Sequence, residues 1–356
     1  MKSIFTLTEG EIRTELKESG QPSYRGRQIW EWLYEKVQSD PQLMANIGRE
    51  LRSWLASAYQ WKQIKVLKQI QDPGGETIKF LLGLEDGNTL EMVIMRYLNR
   101  EHAKERSTLC LSSQVGCPVG CPFCATGQAG FTRNLQLSEL MEQVFLANEY
   151  LAPMGERIGN VVFMGMGEPL LNREAVFSAI KLLRENFGIS QRRITLSTSG
   201  VPEGILAMAE EGVEAGLAVS LHAGNDKLRD LLVPLNRKYP LAMLLQACRR
   251  YQEITRRRIT FEYILIDGLN MEAKDARELR NLLKGLSCHI NGIPVNSVPG
   301  SAYRRPDRQK IREFKNHCLE LGLSFSVREE KGLDIQGACG QLRNQERKPD
   351  ESINPQ

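Results

Sequence analysis

From Thr108 onward the chain alternates short apolar runs with longer amphipathic ones, and no other feature restricts its fold as much. The runs at 108–112, 160–164, 193–198, 216–221, 259–266, 289–295 and 324–328 have the length and residue types of strands. Between them lie stretches whose apolar residues recur at helical spacing. One carries Leu140, Met141, Val144 and Phe145, with Ser138 read as its N-cap; others carry Val176, Ile180 and Leu183, and Ala276, Leu279, Leu282 and Leu283. Strand, helix, strand in succession implies parallel pairing, because the chain must cross back over the sheet before it can pair again in the same direction. The expected core is α/β, either a barrel or a doubly wound sheet; the alternation does not separate the two.

Upstream the pattern changes. Residues 1 to about 70 read as helical, with Thr8 and Glu11 forming a capping box ahead of Ile12 and Leu16, and with Ile29, Leu33, Leu51 and Leu55 at near-helical spacing. Residues 24–32 interleave Arg25 and Arg27 with Tyr24, Trp30 and Trp32, which suits either a solvated helix face or an RNA-facing surface. Asp72-Pro73-Gly74-Gly75 breaks the chain, and the runs 77–82 and 89–95 flank Asp86-Gly87 as a β-hairpin would. The expected organisation is a helical accessory domain over 1–70, a hairpin linker over 71–102, the α/β core over 103–342 and a disordered polar tail over 343–356.

Composition narrows the setting. The 356 residues are 41% hydrophobic and 25% charged, an ordinary globular balance. No apolar run reaches the roughly 18 residues of a membrane helix, and Glu9 and Glu11 interrupt any secretory leader, so the expected location is the cytoplasm with no membrane partner. The net charge of +4, from 47 basic and 43 acidic residues, permits a nucleic-acid partner without requiring one. Arg249-Arg250, Arg256-Arg257-Arg258 and Arg304-Arg305 with Arg308 are read as solvated faces or phosphate contacts.

Eight cysteines are too sparse for a disulfide scaffold, yet Cys110, Cys117, Cys121 and Cys124 fall within fifteen residues. Cys117, Cys121 and Cys124 form a C-x3-C-x2-C loop containing Gly and Pro. A structural zinc site wants four ligands, usually as two C-x2-C pairs, and no second pair exists. Three thiolates with an open corner suit an iron–sulfur cluster that binds a substrate; zinc and inert buried thiols are the other readings. Cys248 and Cys318 lie among apolar helical neighbours and read as buried structural thiols; Cys288 matches no motif.

With Phe123 in its aromatic place, the cysteine loop resembles the radical S-adenosylmethionine (SAM) signature. Its flanks, Ser112-Ser113-Gln114-Val115-Gly116 and Gly130-Phe131-Thr132-Arg133-Asn134-Leu135, narrow the resemblance. So do Gly165-Met166-Gly167-Glu168-Pro169, Leu196-Ser197-Thr198-Ser199-Gly200, Ser220-Leu221-His222-Ala223 and Ala338-Cys339-Gly340-Gln341-Leu342. In this order, from about residue 76 to 342, they resemble the RlmN/Cfr family of radical SAM RNA adenine methyltransferases.

The resemblance implies a partial (β/α)6 TIM-like barrel and a [4Fe-4S] cluster on Cys117, Cys121 and Cys124. It implies SAM held by Gly167, Glu168, Ser197, Ser220, Leu221, His222 and Asn296. It implies that Cys339 is methylated by one SAM, and that a 5′-deoxyadenosyl radical from a second takes hydrogen from that methyl. The carbon then joins adenine, Glu91 accepts the ring proton, and Cys110 attacks the Cys339 sulfur in a transient disulfide. The implied partners are 23S rRNA, tRNA and an electron donor such as flavodoxin or ferredoxin, and the implied state is a monomer. C2 of adenosine is the expected target; C8, as in Cfr, or another RNA is the alternative, and an iron–sulfur electron carrier is the rival from a different class. Two positions depart from the family pattern: Ser297 stands where proline follows Asn296, and Gly224 stands where proline follows Ala223.

Overall fold

The computed structural model describes residues 1–98, 106–296, 298, 300–328, 331–332 and 334–342. The anticipated tail, the 99–105 junction and Ser297 lie outside the described residues.

Helices α1 (Glu9–Glu18), α2 (Arg25–Tyr34) and α3 (Arg49–Ala58) open the chain, clipped by the parallel two-residue strands β1 (Lys2–Ser3) and β2 (Tyr59–Gln60). Thr8 caps α1 as expected: its hydroxyl accepts from the Glu11 N–H, and the Glu11 carboxylate accepts from the Thr8 N–H at 2.8 Å. On α2, Leu33 is buried and the Arg27 guanidinium spans Glu9, Glu31 and Glu35 at the surface.

A ten-stranded sheet follows. Strands β3 (Lys65–Gln71), β4 (Thr77–Gly83) and β5 (Thr89–Tyr97) are antiparallel, and β5 pairs antiparallel with β6 (Arg106–Cys110). A side ribbon of β7 (Gln114–Gly116) and β8 (Phe131–Asn134) brackets the short α4 (Ala125–Gln128) and precedes α5 (Leu137–Leu151). Then β9 (Ile158–Phe163), α6 (Arg173–Phe187), β10 (Ile194–Thr198), α7 (Pro202–Glu210) and β11 (Gly216–Ser220) alternate. After α8 (Asp226–Leu232) and α9 (Leu241–Thr255) come β12 (Ile259–Leu265), α10 (Ala273–Leu282), β13 (Cys288–Pro294), α11 (Arg308–Glu320) and β14 (Phe325–Val327). The order is β14-β13-β12-β11-β10-β9-β6-β5-β4-β3, parallel from β6 to β14. The end strands β14 and β3 are not neighbours, so the barrel is partial, as expected, and the hairpin strands extend the same sheet.

All seven strands read from the alternation are present. Two readings are corrected. Residues 65–71, taken as the end of the helical region, form the edge strand β3; most of its side chains are exposed on both faces, which erases the alternation that marks a strand. Ser138 is not the N-cap of α5, because Gln136 is: its side chain accepts from the Glu139 N–H, and Glu139 accepts from the Gln136 N–H at 2.7 Å.

The N-terminal helices share a core with the barrel. Phe5 meets Phe145 with ring centres 4.8 Å apart, and Tyr34 meets Phe187 edge-on at 5.0 Å. Asn186 accepts from Trp30 Nε1 at 3.2 Å and donates to the Leu7 carbonyl at 2.9 Å. Among the described residues no helix is long and apolar enough to cross a membrane.

Candidate active site

The cysteine loop leaves β7 at Gly116. Its φ is +75°, and a Cβ there would sit 2.0 Å from the Gly130 carbonyl oxygen, so only glycine fits. The backbone N–H groups of Val119 and Gly120 favour the Cys117 thiolate, and those of Thr126 and Gly127 favour that of Cys124. Burial pushes the Cys117 thiol up to about 12 and Cys121 well above its usual range. Such sulfurs ionise on binding metal rather than in water, and their amide donors are those that thiolate ligands of a cluster accept. Three thiolates from one loop leave an open corner, which suits a cluster better than a four-ligand zinc site. The three sulfurs fit a [4Fe-4S] cluster.

In front of them opens a cavity, walled opposite by the C-terminal strand ends. Of the residues expected to hold SAM, Gly167, Glu168, Ser197, Ser220, His222 and Asn296 line it. Leu221 does not: its side chain is buried in the core, its N–H donates to the Glu262 carbonyl, and its own carbonyl accepts from Arg229 Nε at 3.1 Å. Gly167 has φ +105°, and a Cβ there would lie 2.6 Å from Gln114 Cβ. The Glu168 carboxylate accepts N–H bonds from Leu170 at 3.1 Å and Ser199 at 2.6 Å, yet burial still raises its pKa. His222, at φ +63°, accepts at Nδ1 from the Ile264 N–H at 3.1 Å. Burial lowers it to about 3, so the ring is neutral with its proton on Nε2.

Cys339 lines both this cavity and a neighbouring one, which Cys110 also lines. Its segment is held by its own carbonyl oxygens. That of Gly340 accepts from the Ala125 N–H at 2.8 Å, that of Leu342 from Thr126 Oγ1 at 2.7 Å, and that of Cys339 from Asn296 Nδ2 at 3.1 Å. Cys110 is a free thiol pushed up to about 12, by burial first and then by the nearby Cys339 sulfur. Glu91 lies on β5 outside both cavity walls, buried and 3.1 Å from Lys79 Nζ. Cys110 pairs with Val93, two residues from Glu91, so Glu91 and Cys110 share one face of the sheet.

Sequence reasoning missed four charges around the site, three of them buried. Arg328 lines both cavities; Cys339 first, then Glu262 and Cys110, hold its guanidinium charged. Glu262 lines the cluster-side cavity and accepts from Asn291 Nδ2 at 3.0 Å. Arg229 is fully buried beneath the Ser199 and Ser220 carbonyls, and Lys79 pairs with Glu91. The signal available was a lone charge inside an apolar run, as at Lys79 and Glu262. Cys248 and Cys318 are buried as expected. Of the basic runs, Arg258 bonds the Cys288 carbonyl at 2.9 Å and Arg305 bonds Asn296 Oδ1 at 2.9 Å, so both serve the chain itself. Gly224 also has a local reason: a Cβ there would lie 2.6 Å from Glu278 Cβ, whose carboxylate accepts from Asn225.

A parallel sheet with a three-cysteine loop at its strand ends defines a radical SAM enzyme, and residues 111–280 match the model of the Radical SAM superfamily. Residues 3–60 match the ribosomal RNA large subunit methyltransferase N-terminal domain. A relative from Moorella thermoacetica, described as "Probable dual-specificity RNA methyltransferase RlmN", is 47% identical over 91% of this chain and 92% of its own. One of the same description from Thermotoga neapolitana is 44% identical over 96% and 98%. The crystal structure of a radical SAM methyltransferase from Sphaerobacter thermophilus superposes with a TM-score of 0.92 at 43% identity, covering 97% of this chain and all of that one. The chain belongs to the RlmN family. It is an enzyme that uses a [4Fe-4S] cluster and SAM.

Proposed function

We propose that this enzyme methylates C2 of adenosine in 23S rRNA, at the peptidyl transferase centre, and in tRNA beside the anticodon, through a carbon carried on Cys339. The relatives' names support an RNA substrate. The observation that carries the reading is the position of Cys339, which lines both the cluster-side cavity and the one that Cys110 lines.

Adenine C2 is not nucleophilic, so direct transfer from SAM fails there. The cluster and SAM, when bound, supply a methyl group for the Cys339 sulfur and the one-electron chemistry that activates its carbon. Gly167, Glu168, Ser197, Ser220, His222, Asn296 and the Leu221 backbone hold SAM, with Glu168 facing its ammonium. Cys339 presents its carbon to the base, which is unstacked at a cost of a few kcal/mol. Glu91 takes the ring proton. The Cys110 thiolate then attacks the Cys339 sulfur, the sulfur–carbon bond breaks with its electron pair going to the carbon, which takes up a proton to become the methyl group of the released base, and a Cys110–Cys339 disulfide forms. A reductant restores both thiols. The Arg328 charge favours the Cys110 thiolate, against the burial that opposes it. An external one-electron donor such as flavodoxin or ferredoxin completes the system in the cytoplasm, with residues 1–70 as the RNA-binding unit of a monomer.

Anaerobically reconstituted enzyme, incubated with 23S rRNA or tRNA and a reductant, tests this by nucleoside mass spectrometry. 2-Methyladenosine is expected; 8-methyladenosine favours the Cfr-like alternative. Cys339→Ala should lose all methylation, whereas an electron carrier would keep its function.

A further inference from the structure

Lys79 makes two contacts that the reaction scheme does not use. Its Nζ lies 3.1 Å from Glu91 Oε1, with side chains only 5% and 4% exposed. The same Nζ donates to the carbonyl oxygen of Gln336 at 3.3 Å, three residues before Cys339. The register explains the meeting: Lys79 pairs with Val93, and Val93 pairs with Cys110, so Lys79, Glu91 and Cys110 lie on one face of β4, β5 and β6.

A carboxylate this far from water is costly unless it is paired, and the Lys79 ammonium supplies a partner at 3.1 Å. For stability alone, an apolar pair of similar volume would serve these strands as well as the ion pair does. Gln336 adopts φ +52°, a costly conformation for a residue other than glycine, so contacts such as that with Lys79 must hold the segment's shape.

We propose that Lys79 is a positioning residue for RNA methylation. It holds the Glu91 carboxylate and ties its placement to the docking of the segment that carries Cys339. The base is then aligned only when the carbon-bearing cysteine is in place. This inference rests on the role proposed above for Glu91.

The test compares full-length, reconstituted wild type, Lys79→Met, Lys79→Gln, Lys79→Arg and Glu91→Gln. Three quantities are read: Cys339 methylation by peptide mass spectrometry, covalent protein–RNA adduct on denaturing gels, and methyladenosine. In the Met and Gln variants, Cys339 methylation should stay near wild type. The adduct should accumulate, and product should fall by roughly 10- to 100-fold, the range of a misplaced general base. Lys79→Arg should restore most of the product. Wild-type product in the Met and Gln variants overturns the inference. So does loss of product without adduct, whether through lost Cys339 methylation or lost folding. If Glu91→Gln itself builds no adduct, the role of Glu91 fails instead.

Discussion

Asn296 Nδ2 donates to the carbonyl oxygen of Cys339 at 3.1 Å, while Asn296 Oδ1 accepts from Arg305 at 2.9 Å. The amide is thus fixed end to end between a cation and the cysteine proposed to carry the carbon. Asn296→Asp keeps the Arg305 contact but sets an oxygen against the Cys339 carbonyl. Losing one bond and adding repulsion costs about 1–3 kcal/mol, so methylation of Cys339 should fall by tenfold or more. Peptide mass spectrometry over a time course would measure it.

The release step should depend steeply on pH. Cys110 is held near 12, mainly by burial, so at neutral pH almost all of it is thiol. Because the thiolate attacks, resolution of preformed adduct should quicken by roughly tenfold per pH unit between about 7 and 9. Cys110→Ala should leave the adduct unresolved at every pH, and quenched-flow gels would follow both.

Glu142 gives stability a pH slope of its own. It accepts from the Gln63 and Ile64 N–H groups at 2.8 and 2.9 Å, yet burial raises it from 4.5 to about 7. The folded value lies above the unfolded one, so this contribution is fully present below pH 4.5 and is lost as pH rises to about 7. Glu142→Gln can accept the same bonds without a charge. It should match wild type near pH 4 and exceed it by about 1–3 kcal/mol at pH 8, read by urea unfolding at both.

Gly167→Ala should damage fold and SAM site together. The φ of +105° and the 2.6 Å approach to Gln114 Cβ leave no room for a methyl group. The expected loss is about 2–4 kcal/mol. Thermal unfolding would show the stability change, and equilibrium dialysis with SAM the weaker binding.

Arg229→Met should be worse. The buried guanidinium donates to Leu221 O at 3.1 Å, Ser199 O at 2.6 Å, Ser220 O at 3.0 Å and Asn236 Oδ1 at 2.7 Å. Removing it takes a donor from three carbonyls at the strand ends that wall the cavity and from the Asn236 amide oxygen. The cost should be about 3–5 kcal/mol, with SAM binding lost; chemical denaturation and SAM titration would separate the two effects.

Local chemistry made much of this molecule legible. Seven apolar runs spaced by amphipathic ones announce parallel strands, Thr8 and Glu11 announce a helix start, and the spacing of Cys117, Cys121 and Cys124 points to a cluster. Each depends on residues within a few turns or strands of one another. The β3 edge and the Gln136 cap escaped because neither leaves an apolar period. Tertiary structure alone decided which distant groups meet. Leu221 turns its side chain into the core, Cys339 is docked by carbonyl oxygens that every residue possesses, and Lys79 meets Glu91 across the strands and the Gln336 carbonyl beyond them. Contacts made by main-chain atoms, or by lone charges in apolar strands, carry no spacing signature; they exist only once the sheet has fixed which residues lie side by side.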